Sequence, residues 1–528
     1  MKIKDITWVV AGCLLLASCS TQKTANEPGR CGSLVGSVVG PGTIETAEPV
    51  RTGDQLVGLF TRVFLRFAIP DLPPITAPTN FCRATAKLQA NRNSSITVQV
   101  WLPDEWNGKM VGTGGGGTNG GLMGASLSLQ PPVERGYATF ATDAGHETSN
   151  SAEFAYESQA QYQDWADRAN HVAAEYVKDL ITQYYGRAAS QSYFHGCSNG
   201  GRDALVLAQR YPSTYDAIIA GAPAAHWSEL TASFMWYAQT LHGEGVGKPL
   251  GKKLELIHNA ILGQCDALDG VADGLLENPL QCEFDPEVLL CRAGKRKDCL
   301  TADEVAALQQ IYGGPVLADG TQVYPGMPVG GEIQKHWEQW FLSTKRGGTQ
   351  IAEQVFRWMV HRDTDWSWDQ FDIERDYPLA QERMGTVVDA DNPDISAFID
   401  SGGKLLMYHG WNDAAIPATA TINYVNAVQA SLGSSSEHAV RLFMAPGVGH
   451  CVGGEAPHDF DMLDALDQWV QSDAPPERIL ARQYDPPKMF AVPRGAEVVR
   501  TRPLCAWPNV AQYVGSGSVD IAENFVCR

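Results

Sequence analysis

Ser198 stands in the run Tyr193-Phe194-His195-Gly196-Cys197-Ser198-Asn199-Gly200-Gly201, where Gly196 to Gly200 read G-x-S-x-G. That is the pattern of a nucleophile elbow, a sharp strand-to-helix turn that lifts a serine hydroxyl clear of the backbone. A serine attacks a carbonyl only when a nearby base takes its proton, so the motif needs partners. In the elbow arrangement they follow in the order Ser, then Asp or Glu, then His. His450 is the candidate base, and Asp413 the carboxylate that would fix its tautomer and support the imidazolium. Each has a plainer reading: Asp413 as the cap of a helix beginning near Ala415, His450 as an ordinary loop residue. His409 and His146 are rivals for the base.

These residues need elements to hold them. Tyr193 and Phe194 are good strand formers, and Arg202 to Tyr211 is rich in alanine and leucine, with no breaker before Pro212. Tyr215 to Gly221 reads as the next buried strand. Upstream, Trp165, Ala169, Val172, Ala173, Tyr176, Val177, Leu180 and Tyr184 keep helical spacing, with Gly186 as the stop. Lys404 to Gly410 and Arg441 to Pro446 are two more apolar runs, and Asp413 and His450 each lie just beyond the carboxyl end of one. Catalytic groups of open α/β sheets gather at those ends. The order helix, strand, elbow, helix, strand predicts an α/β fold.

Cys197 precedes the candidate nucleophile and Cys451 follows the candidate base. If Ser198 and His450 meet, these neighbours are close enough for a disulfide. The bond would tie the elbow to the histidine loop across a very long stretch of chain. Two unrelated buried thiols are the alternative.

Taken together, Cys-Ser, a later Asp and His-Cys resemble the signature of the tannase and feruloyl esterase family. The likeness runs from about Cys31 to the C-terminus. It includes Gly114-Gly115-Gly116-Gly117-Thr118-Asn119-Gly120, Thr142-Asp143-Ala144-Gly145-His146, Cys265-Asp266-Ala267-Leu268-Asp269-Gly270 and Arg502-Pro503-Leu504-Cys505. The resemblance implies an ester hydrolase with an α/β-hydrolase core and a large lid inserted after the strand that follows the elbow. The expected divisions are a signal peptide at 1–18, a tether at 19–30, core at 31–223, lid at 224–396 and core again at 397–528. It also implies oxyanion-binding N–H groups on Gly117 and Asn199, the second being the residue after the nucleophile. The substrates it implies are esters of aromatic acids: feruloyl and related esters first, then terephthalate monoesters and gallates. Ile416 and Arg357 are candidate pocket residues. A catalytically dead hydrolase fold that only binds its ligand, and an acyltransferase using the same acyl-enzyme, are the competing readings.

The first residues read as an export signal. Lys2 and Lys4 lead an apolar run from Trp8 to Leu16, too short to span a bilayer. Leu16-Ala17-Ser18-Cys19 resembles a bacterial lipoprotein cleavage box, with Cys19 lipidated, while a plain cleavage near Ala17 is the alternative. Either places the mature chain outside a bacterial cytoplasm, as a periplasmic protein, an outer-membrane lipoprotein or a secreted one. There disulfides persist. Without Cys13 and Cys19, ten of the twelve cysteines remain, an even number that suits a disulfide framework. The resemblance implies Cys197 with Cys451, Cys265 with Cys282, Cys291 with Cys299 and Cys505 with Cys527, which leaves Cys31 and Cys82 for each other. A zinc site is the competing use, but no C-x-x-C pair occurs.

With 528 residues and a net charge of −20, the chain can bury a large core and presents an acidic surface. Such a surface argues against nucleic acid and anionic membranes as partners, leaving only the N-terminal lipid as a membrane link. A small aromatic ester is the expected partner, and a monomer the expected state.

Roughly 180 residues separate Ala222 from Lys404, far more than a crossover needs. This block holds seven of the fourteen tryptophans: Trp227, Trp236, Trp337, Trp340, Trp358, Trp366 and Trp368. Most are expected to fill the lid's own core, with one or two facing the pocket. Within it, Asp266, Asp269 and Asp273 crowd three carboxylates into eight residues. Oxygen ligands at this density suit calcium, although the spacing is not that of an EF-hand. The resemblance implies a structural calcium ion held by those side chains and the carbonyls of Val271 and Leu275. A solvated acidic turn is the alternative. No organic cofactor is expected.

Overall fold

The centre of the molecule is a ten-stranded sheet in which the fifth and sixth strands of the chain exchange places and the others follow chain order. A computed structural model of the protein describes residues 28–58, 75–118, 120–122, 124–148, 151–243, 245–292, 298–333, 335–485 and 495–528. The export signal, Cys19 and most of the tether lie outside the described residues. Strands β1 (Val38–Val39), β2 (Gly42–Val50), β3 (Phe81–Leu88) and β4 (Ile96–Pro103) form an antiparallel flank. Then come β5 (Lys109–Thr113), β6 (Ala138–Thr142), β7 (Gln191–Cys197), β8 (Ala217–Gly221), β9 (Lys404–Gly410) and β10 (Val440–Ala445), mutually parallel. The parallel strands are near-continuous apolar runs because helices cover both faces. On one face lie Tyr176, Val177 and Leu180 of helix Ala169–Tyr185, with Leu205 and Val425. On the other lie Leu466 and Trp469 of helix Met462–Ser472, against Tyr193 and Phe443. Helix Ala169–Tyr185 ends at Gly186, whose φ of 75° is the left-handed turn that glycine adopts freely.

Between β8 and β9 the chain leaves the sheet and builds a helical layer with its own core, including Ile257, Ile261, Leu308 and Trp337. Its returning segment is bound to the helix that follows the elbow. Arg210 donates to the carbonyls of Thr386, Val387 and Asp389, Arg202 to that of Val388, and Gln209 to that of Ala390. After β10 the chain closes with an antiparallel hairpin, β11 (Arg478–Asp485) and β12 (Glu497–Cys505), and the short pair β13 (Ala511–Tyr513) and β14 (Phe525–Cys527).

Five disulfides join Cys31 to Cys82, Cys197 to Cys451, Cys265 to Cys282, Cys291 to Cys299 and Cys505 to Cys527. Among the described residues no helix is long and apolar enough to cross a membrane.

Candidate active site

β7 runs directly into helix Asn199–Arg210, and Ser198 makes the turn between them at φ 64°, ψ −125°. A non-glycine residue rarely adopts that backbone, and the surroundings hold it there. The Ser198 N–H donates to the Gly221 carbonyl at 3.0 Å. Close approach explains the glycines of the motif. A Cβ on Gly196 would come within 2.1 Å of the Gly200 carbonyl oxygen, and one on Gly200 within 2.9 Å of that of Gly115.

The three candidate side chains converge. The Ser198 hydroxyl lies 2.9 Å from Nε2 of His450, and Nδ1 of the same ring lies 2.7 Å from Oδ2 of Asp413. Asp413 sits at the end of β9 and His450 in the loop after β10, so three strand ends meet at one point. Oδ1 of Asp413 accepts the N–H groups of Ala415 and Ile416 at 2.7 and 3.0 Å. The two readings of Asp413 therefore divide between its oxygens, one bracing a turn and one facing the imidazole. The following helix starts at Ala418 rather than near Ala415, after Pro417. Burial would raise the Asp413 carboxyl, but the charge of His450 and hydrogen bonds from His409 and His450 outweigh it and hold it far below the usual range. The Cys197–Cys451 disulfide lies immediately beside Ser198 and His450, with Cα atoms 6.0 Å apart.

Asn199, first residue of its helix, has a backbone N–H with no acceptor in a preceding turn. The glycine-rich loop after β5 lies alongside, with Gly114 packed on Gly200. Gly117 has a φ of 54° and faces Ile351 of the inserted layer. His146 backs this loop: its carbonyl accepts from Gly121, and Nδ1 pairs with the Thr148 hydroxyl at 2.9 Å. Burial lowers its pKa to about 4. Thus neither rival histidine touches Ser198, and His409 lies instead on Asp413.

Two residues outside the sequence reading hold this assembly. Arg202 is fully buried beneath the elbow. It donates to the side chains of Asn199 and Asp203 and to the carbonyls of Trp165, Ala166 and Val388, with its guanidinium over the Trp165 ring. Asp203 accepts from Arg202, from the Asn170 amide and from the Gly115 N–H, fastening the glycine-rich loop to the elbow helix. The chain signals only a charged pair, Arg202-Asp203, opening a helix; that Asn199 to Ala208 are all buried appears in the fold. Arg202→Met removes the cation paired with Asp203 and its donors to three buried carbonyls. It should lower the unfolding free energy by about 3–5 kcal/mol in a urea titration.

The inserted layer supplies a wall. Trp340 packs edge-on against the His450 ring at 5.4 Å and stacks on Phe234 at 5.8 Å. Trp227, Trp337 and Trp366 are buried within apolar clusters. Ile416 is buried beside Asp413. Arg357 is engaged inside the layer, donating to the Trp366 carbonyl and to Glu353, both at 2.8 Å.

A separate cavity of about 150 Å³ lies away from Ser198, lined by Cys265, Asp269, Glu277, Gln512 and Arg528 among others. It borders the acidic loop. There Asp266 accepts the N–H groups of Asp273 and Gly274, and Asp273 pairs with both Arg500 and Arg502. Among the described residues no three acidic, histidine or cysteine side chains form a metal cage by themselves. An ion here would need the carbonyls of Val271 and Leu275 as well. One observation fits such an all-oxygen shell: Oδ2 of Asp269 is buried with no hydrogen-bond partner.

Comparisons with known proteins agree with this architecture. The family model described as tannase and feruloyl esterase matches residues 82–528. An uncharacterized esterase of Xanthomonas campestris pv. campestris is 34% identical, covering 96% of this chain and 92% of that protein. The mono(2-hydroxyethyl) terephthalate hydrolase of Piscinibacter sakaiensis is also 34% identical, over 82% of this chain and 81% of its own. In three dimensions the chain is similar to feruloyl esterase B from Aspergillus oryzae, with a TM-score of 0.84, 26% identity, and coverage of 95% of this chain and 100% of that one. The core is thus that of an α/β-hydrolase, and the chain belongs to the tannase and feruloyl esterase family of ester hydrolases.

Proposed function

We propose that this protein is an exported serine esterase that cleaves esters of aromatic acids, feruloyl and other hydroxycinnamoyl esters first, through an acyl-enzyme on Ser198. The observation that carries this reading is the unbroken chain of hydrogen bonds from Ser198 through His450 to Asp413. As the hydroxyl attacks the ester carbonyl, Nε2 of His450 takes its proton, and Asp413 supports the resulting imidazolium. The tetrahedral oxyanion is met by the N–H groups of Asn199 and Gly117, each worth about 3 kcal/mol of transition-state stabilisation. His450 then protonates the leaving alcohol, and water repeats the sequence on the acyl-enzyme. Trp340 and Ile416 would flank the acyl group. No organic cofactor enters these steps.

A second substrate, the terephthalate monoester, is favoured by the 34% identity to the hydrolase from Piscinibacter sakaiensis. Methyl ferulate, methyl gallate and mono(2-hydroxyethyl) terephthalate assayed side by side should show the highest kcat/KM on methyl ferulate. Turnover confined to one of the others reassigns the acid, and turnover of none removes the esterase reading. Fluorophosphonate labelling that vanishes in Ser198→Ala separates an enzyme from a binding protein. Disulfide formation supports a periplasmic or extracellular location.

The acidic loop is proposed to hold one structural calcium ion through Asp266, Asp269, Asp273 and the carbonyls of Val271 and Leu275. The ion would neutralise the crowded carboxylates and brace the inserted layer, taking no part in the chemistry. EDTA should then lower Tm, and calcium in excess restore it. The difference is about 3 kcal/mol when free calcium is a hundredfold above its Kd. A Tm indifferent to both would leave a solvated turn neutralised by arginines.

A further inference from the structure

His409 lies on strand β9, next to the edge strand β10, with no solvent exposure and four residues before Asp413, and the reaction described above gives it no task. Its Nε2 faces two acceptors, Oδ2 of Asp413 at 3.2 Å and the carbonyl of Ile416 at 3.0 Å. A nitrogen between two acceptors must carry the proton. Nδ1 lies 2.7 Å from the hydroxyl of Thr421, itself buried, and in the neutral ring it accepts a hydrogen bond from that hydroxyl. The two acceptors at Nε2 thus fix the tautomer, and the Thr421 hydroxyl holds the ring in place from the other side.

Oδ2 of Asp413 therefore receives two imidazole N–H groups, one from each side, while Oδ1 takes two backbone N–H groups. We propose that His409 is a positioning residue of the Ser198 site. Through Nε2–H it locks the Asp413 carboxylate in the rotamer that faces His450 and draws off part of the negative charge that His450 feels. The ionisable groups facing this arrangement are Asp413, His450 and the Tyr324 phenol from the inserted layer, the last interacting electrostatically with Asp413. The same N–H, shared with the Ile416 carbonyl, holds the turn that carries a proposed pocket wall. This inference rests on the esterase reading.

The test compares His409→Phe, which keeps a ring but loses all three hydrogen-bond contacts, with His409→Gln, which keeps an N–H donor. Thr421→Val, which removes only the outer hydroxyl, is the milder third variant. With methyl ferulate as substrate, kcat in His409→Phe should fall about tenfold or more with KM nearly unchanged, as expected for one hydrogen bond to a charged group. The acid limb of its kcat/KM profile should move to higher pH by about one unit, because a carboxylate with one donor fewer holds the imidazolium more strongly. His409→Gln should recover most of the rate, and Thr421→Val should shift the limb in the same direction by less. A limb that stays in place or moves down in the folded variants overturns the proposal, as does a glutamine variant as slow as the phenylalanine one at equal Tm. If His409→Phe does not fold, the glutamine and Thr421→Val profiles decide alone. The far-downfield proton resonance of the His450–Asp413 bond gives a readout that needs no turnover. It should move in His409→Phe, and an unmoved signal counts against the proposal. Wild-type protein that turns over none of the three esters, with that resonance shifted as described, would instead sink the esterase reading and leave the positioning role standing.

Discussion

Ser198→Ala should reduce kcat on the preferred aromatic ester by roughly 10⁵- to 10⁶-fold while leaving Tm and substrate binding nearly unchanged. The side chain removed is one hydroxyl, which meets Nε2 of His450 at 2.9 Å. No packing is lost with it. Asp413→Asn should behave differently. Its amide can occupy the same space, but where the carboxylate accepts the Nδ1–H of His450, the amide is free to present a donor. The ring then settles in the wrong tautomer, and kcat falls about 10⁴-fold. Stopped-flow measurement of the acyl-enzyme burst distinguishes the two, since only the serine variant abolishes acylation altogether. Equal rates in wild type and Ser198→Ala would remove the hydroxyl from the chemistry.

The double substitution Cys197→Ser, Cys451→Ser should be the most damaging of the disulfide removals. The bond closes a separation of 254 residues and joins the immediate neighbours of Ser198 and His450. Losing a native disulfide typically removes about 2–5 kcal/mol of stability. Activity should fall further than stability alone explains, because the hydroxyl and the imidazole lose their shared clamp. Cys291→Ser with Cys299→Ser opens a link across only 8 residues in the inserted layer and serves as the control. Its kcat should stay near wild type when measured well below Tm. Comparable losses of kcat in both double variants, at matched fractions folded, would show that the clamp has no special bearing on the site.

Much of this architecture is written locally in the chain. The apolar runs at Tyr215 to Gly221 and Lys404 to Gly410 become β8 and β9 because strands buried on both faces tolerate little else. The elbow is legible because the G-x-S-x-G pattern is contiguous and Gly196 answers to Gly200 only four residues on, although Gly200 itself meets the distant Gly115. Other features depend on distant partners. Arg202 looks like a surface residue of an amphipathic helix until Trp165, Ala166 and Val388 bring their carbonyls to it. Trp340 is one of seven tryptophans in the inserted layer, and nothing in its neighbours distinguishes it from Trp337, which is buried three residues earlier. His409 read as a rival base because type and order alone do not say which atom a ring will face. The misplaced helix start near Ala415 has a local cause: Asp413 caps a turn, not a helix, and Pro417 sets the true beginning.

The five consecutive carbonyls from Thr386 to Ala390, all gripped by Arg202, Gln209 and Arg210, bear on how ester reaches the serine. A cover latched along its trailing edge cannot swing away as one rigid flap. The short helix Lys335–Trp340 lies in the same inserted layer. That helix carries the indole that leans on the imidazole, so the latch at Thr386 to Ala390 and the wall beside His450 belong to one inserted layer.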